Sequence, residues 1–101
     1  MQPDKNEIRR IVIASLREIL QGDGRGDIPA IDDGTDPIRD LGLTSEDGLE
    51  VACLLSYRLN FEIPPAVNPF TDDDRRRARR VGEIVDLLVT LLGGNGVAGH
   101  A

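Results

Sequence analysis

The chain has 101 residues, 40% of them hydrophobic, and a formal net charge of −6 from 18 acidic and 12 basic side chains. That length supports one domain with one core, and the negative balance argues against nucleic acid as a partner, because such binding depends chiefly on cations that displace counterions. A lone cysteine, Cys53, and a lone histidine, His100, allow no Cys/His metal cluster and no Ser/His or Cys/His catalytic pair, so neither a metal centre nor a self-sufficient enzyme is expected.

The N-terminus, Met1 to Arg10, has no apolar run of the kind a signal peptide carries. No stretch approaches the roughly 18 apolar residues needed to span a bilayer, and the expectation is a cytoplasmic monomer. Ile8, Ile11, Val12, Leu16, Ile19 and Leu20 recur at steps of three and four, which predicts a helix over Asn6 to Gln21 with Gly22 stopping it. From Gly22 to Leu43 the chain turns to Gly, Asp and Pro without periodicity, a long loop whose scattered Ile28, Ile31, Ile38, Leu41 and Leu43 are expected to anchor it under the helices.

A second helix is predicted to begin at Thr44 or Ser45, where a hydroxyl residue precedes Glu46 and Asp47 in the manner of an N-cap and an acidic first turn. Leu49, Ala52, Cys53, Ser56 and Leu59 would line one side of it, with Leu54, Leu55 and Tyr57 widening the apolar arc. Gly48 in its first turn costs about 1 kcal/mol of propensity relative to Ala. Asn60 and the Phe61 to Pro65 stretch end this helix, since Pro64 pushes Ile63 away from helical geometry. Asn68 and Pro69 mark a turn, and Thr71 before Asp72, Asp73 and Asp74 reads as the cap of a short helix carrying Arg75 to Arg80. Val81, Ile84, Val85, Leu88, Val89, Leu91 and Leu92 predict a last helix that Gly93 and Gly94 close. No segment shows the period-two alternation of a strand. The expected architecture is therefore all-α: a small bundle of three main helices and one short helix over residues 1–92, with a flexible C-terminal tail over 93–101.

The stretch Asp40-Leu41-Gly42-Leu43-Thr44-Ser45-Glu46-Asp47-Gly48-Leu49-Glu50 resembles the attachment motif of the acyl carrier protein family, D-L-G-x-D-S-L-x-x-V-E at the start of the second helix. The long loop after the first helix, the Phe61-Glu62-Ile63-Pro64 exit and the Val81-Gly82-Glu83-Ile84-Val85-Asp86 opening of the last helix match in the same order, so the resemblance covers about Ile8 to Leu92. It implies a carrier-like bundle in which a transferase moves 4′-phosphopantetheine from coenzyme A onto Ser45. The arm's thiol would then hold an acyl or aminoacyl group for separate acyl-transfer or acyl-activating enzymes, as in fatty-acid, polyketide or other lipid synthesis. Two positions depart from the family pattern, Thr44 for Asp and Glu46 for Leu. The 16 residues between Pro64 and Val81 also exceed the family's usual connection.

Each feature also has a plainer reading. Ser45 could serve only as a helix cap, leaving an unmodified bundle of the same ancestry that acts as an interaction module. Glu46, Asp47 and Glu50 form either a solvated acidic face or a surface that steers basic partners. Leu49, Cys53, Leu54, Tyr57, Val67 and Phe70 could line a slot for an acyl chain, although ordinary core is the simpler expectation, with Cys53 a buried, inert thiol. The run Arg75 to Arg80 is expected to pair with Asp72 to Asp74 one turn back; its alternatives are partner docking and binding of nucleic acid or an anionic membrane.

Overall fold

Asp4 opens the first helix, α1 (Lys5–Gly22), by accepting a 2.8 Å hydrogen bond from the Glu7 amide through its carboxylate. Ile8, Val12, Leu16, Ile19 and Leu20 form its buried stripe, as their spacing predicts. Ser15 lies in the same stripe, and its hydroxyl donates to the Ile11 carbonyl and accepts from Arg58 at 2.9 Å. The computed structural model describes residues 3–22, 24, 26–72 and 77–100, with side chains as far as Gly93.

Between α1 and residue 45 the described residues form turns rather than helix or strand. Ile31, Leu41 and Leu43 are buried, and Ile28 and Ile38 pack half-buried against the core, so the apolar residues do anchor this segment. Short polar side chains shape it: Asp36 accepts the amides of Ile38 and Arg39, and Asp40 accepts the amide of Asp36 at 2.8 Å. Gly42 takes a φ of 73°, in the left-handed region that glycine adopts without steric cost.

The second helix, α2 (Ser45–Leu59), buries Gly48, Val51, Leu55 and Leu59. This corrects the expected core side: Leu49 and Cys53 lie on the solvent face, and the thiol is exposed rather than buried. Apolar residues surround most of this helix, and its packed stripe runs through Gly48, which a hydrophobic pattern does not register. Asn60, at φ 52°, caps the C-terminus in left-handed conformation, where the sequence ends the helix.

In place of the expected short Arg-rich helix, the chain forms two short antiparallel strands, β1 (Thr71–Asp72) and β2 (Arg77–Ala78), paired Thr71 to Ala78 and Asp72 to Arg77. Fully buried Phe70 fixes the entry, and the Arg79 amide donates to the Phe70 carbonyl at 2.8 Å, extending the pairing by one step. Arg77 pairs with Glu83 of the next helix and faces Asp72 across the strand pair rather than one helical turn on, and Arg79 donates to main-chain carbonyls. The remainder of that expectation, Asp73 to Arg76, lies outside the described residues.

The third helix, α3 (Val81–His100), buries Val81, Ile84, Val85, Leu88 and Leu92 and continues through Gly93 and Gly94, beyond the end its sequence suggests. Its start is docked on the long segment: the amides of Val81 and Gly82 donate to the carbonyls of Thr35 and Asp33, and Arg80 donates to Gly34. α1 packs against both α2 and α3. The described fold is thus mostly helical, three helices with one small strand pair, and no described helix is long and apolar enough to cross a membrane.

Candidate functional site at the start of α2

Thr44, at φ −106° and ψ 169°, is the N-cap of α2. Its hydroxyl accepts from the Asp47 amide at 3.2 Å, and the Thr44 amide in turn donates to the Asp47 carboxylate at 2.9 Å, a reciprocal capping box. Ser45 is therefore the first residue inside the helix, exposed, with a side-chain hydroxyl that no described residue bonds. The capping role that Ser45 could have filled belongs to its neighbour.

The turn is favourable for an anion attached at Ser45. The amides at the start of a helix are unpaired by the helix itself, and the dipole is positive at that end. Opposing this are two carboxylates, that of Asp47 at the N-cap and that of exposed Glu46. Any phosphodiester would have to project outward into solvent, where such repulsion is screened.

The three acidic residues separate in role. Asp47, half-buried, is committed to the cap, whereas Glu46 and Glu50 are exposed on the helix side away from the buried stripe. Leu49, 51% exposed, Cys53 and Tyr57, 86% exposed, share that side, so the outward face of α2 mixes carboxylates with an aromatic and an aliphatic side chain.

The slot expected from Leu49, Cys53, Leu54, Tyr57, Val67 and Phe70 is not assembled. Phe70 is wholly in the core, Val67 packs half-buried against it, and Leu49 and Tyr57 point to solvent. Cys53 and Leu54 instead line an open groove of about 490 Å³ on the α1 side, together with Glu18, Ile19, Gly22 and Glu50.

Three residues at this site escape the sequence pattern. Asn68 donates from its side-chain amide to the Ser45 carbonyl at 2.8 Å. Arg79 holds the Asn68 carbonyl at 2.8 Å. Gly48 makes room for both chain segments, since a Cβ there would stand 2.3 Å from Asn68 Oδ1 and 3.0 Å from the Phe70 ring. The Asn68-Pro69 pair signals a turn; nothing local says which helix that turn meets. Comparison with protein-family models, with curated proteins and with solved structures found no match to this chain.

Proposed function

We propose that the chain is a carrier protein bearing a 4′-phosphopantetheine arm on Ser45 and presenting an acyl or aminoacyl group to separate biosynthetic enzymes. The observation that carries this reading is the exposed Ser45 hydroxyl, which no described residue bonds, while Thr44 and Asp47 close the cap between them. In the transfer, Ser45 Oγ forms a bond to the pantetheine phosphorus of coenzyme A. The pyrophosphate linkage breaks, adenosine 3′,5′-bisphosphate leaves, and the hydroxyl proton passes to a base on the transferase. The arm supplies a mobile thiol for thioester chemistry. The chain's own residues offer the oxygen at a rigid helix start and present a docking face.

That face is the outward side of α2. Glu46 and Glu50 favour a partner with a basic surface, an attraction that acts mainly on association rate and weakens with salt. Asp47 contributes through the cap rather than through contact. The exposure of Leu49 and Tyr57 also suits a second reading, an unmodified interaction module using the same face. Adduct formation separates the two.

The test is intact mass after incubation with coenzyme A and a panel of phosphopantetheinyl transferases, measured after reduction. Reduction matters because exposed Cys53 can form a mixed disulfide with coenzyme A. The carrier reading requires a reduction-resistant adduct on the wild type that Ser45→Ala abolishes. An adduct that survives Ser45→Ala, or none at all, overturns it.

A further inference from the structure

After leaving α2 the chain returns to it at the Ser45 turn, through Asn68. Its Nδ2 donates to the Ser45 carbonyl at 2.8 Å while its Oδ1 accepts the Phe70 amide at 2.9 Å. An amide side chain has donors on nitrogen and acceptors on oxygen, so only this orientation satisfies both partners. Behind it, one Arg79 guanidinium nitrogen donates to the carbonyls of Asn68 and Thr71, at 2.8 and 2.7 Å. Phe70 is fully buried, so the clamp is rooted in the core and in the strand pair.

The clamp acts on the backbone of Ser45, whose side chain no described residue bonds. Ser45 Oγ has no hydrogen-bond partner among the described residues, so its direction is set by the Ser45 main chain and by the rotamer that main chain allows. The capping box fixes that main chain from the Thr44 side. Asn68 fixes it from the carbonyl side, and Gly48 leaves the space for it to do so.

We propose that Asn68 is a positioning residue for arm transfer: by tying the Ser45 carbonyl to the buried Phe70 turn, it sets the direction in which Ser45 Oγ is offered to the transferase. The proposal rests on the carrier reading. Displacement at phosphorus requires the attacking oxygen in line with the leaving group, so a loosened turn lowers the rate within the complex. The docking face of α2 is elsewhere, so affinity for the transferase is unaffected.

Steady-state arm transfer from coenzyme A, followed by mass for wild type, Asn68→Ser, Asn68→Asp and the core variant Ile84→Val, tests this. Ser and Asp both keep an acceptor for the Phe70 amide; ionised Asp has no donor for the Ser45 carbonyl, the Ser hydroxyl is too short to span from the Phe70 amide to it, and only Asp adds charge. The expected result is a kcat about tenfold lower for both Asn68 variants, with KM for the carrier unchanged. Ile84→Val should transfer at the wild-type rate despite a lower Tm. Equal rates for all four proteins, a loss that tracks Tm in Ile84→Val as well, a loss confined to Asn68→Asp, or a change in KM alone each overturns the positioning role. A wild type that takes no arm overturns the carrier reading itself and this inference with it.

Discussion

Ser45 and Thr44 are adjacent hydroxyl residues with different work. Thr44 closes the start of α2, so Thr44→Ala should cost about 1 kcal/mol in denaturant unfolding. Ser45→Ala should leave stability nearly unchanged, because no described residue bonds the Ser45 hydroxyl. The reverse order of effects would contradict the cap assignment. Gly48 separates propensity from packing more sharply. Helix propensity alone favours Gly48→Ala by about 1 kcal/mol, yet the new methyl would stand 2.3 Å from Asn68 Oδ1, and overpacking of this kind costs roughly 1–3 kcal/mol. The expected outcome is a net loss of stability, read from the urea midpoint; a gain would mean that Asn68 does not occupy that space. The motif around Ser45 was legible in the sequence because it is contiguous. Asn68 and Arg79 were not, because their partners lie across a turn that no local pattern orients.

At the scale of elements, α1 and α3 announce themselves through single apolar stripes, and both begin where that periodicity puts them, although α3 runs on past the Gly93-Gly94 pair expected to close it. α2 is apolar over much of its circumference, so its existence is readable while its buried side is not; packing against α1 and the Phe70 turn selects Gly48, Val51, Leu55 and Leu59. From Thr71 onward the sequence predicts a short helix, because an acidic run followed by an arginine run looks like a capped, ion-paired turn. Phe70 and Asn68 bind the segment to other elements instead, and a strand pair results. The long segment between α1 and α2 is held to its surroundings by Arg9, whose Nε and a terminal nitrogen reach the two Asp33 oxygens at 2.8 and 3.1 Å. That hydrogen bonding holds the Asp33 carboxyl below its ordinary pKa. A depressed folded-state pKa contributes stability above the unfolded carboxylate range, and the contribution is lost as pH falls through the folded value. Thermal melts across the acidic range should therefore show a shallower loss for Asp33→Asn than for wild type. The effect is small because the pair is exposed; parallel curves would show that the pair does not couple to folding.

For the molecule as a whole, the net charge is −6, and among the described residues Arg77, Arg79 and Arg80 precede α3 while the carboxylates Glu46 and Glu50 are exposed on the outward face of α2. Arg77 and Arg80, both exposed, are engaged by Glu83 and the Gly34 carbonyl, so on the carrier reading the outward face of α2 is the acidic surface offered to a basic partner. Glu50→Lys should slow association with a cognate enzyme at low ionic strength and have little effect at high salt, by stopped-flow mixing; a salt-independent change would exclude steering. On the carrier reading, acyl chemistry rests on a group that the chain does not encode. The central claim is therefore covalent, and it is tested most directly on the protein recovered from its own cells. Trypsin releases Asp40 to Arg58 as one peptide containing both Ser45 and Cys53. After reduction and alkylation, fragment spectra should place a phosphopantetheine mass on Ser45 and leave Cys53 simply alkylated. An unmodified Ser45 throughout, or an arm mass that disappears on reduction and maps to Cys53, would contradict the account.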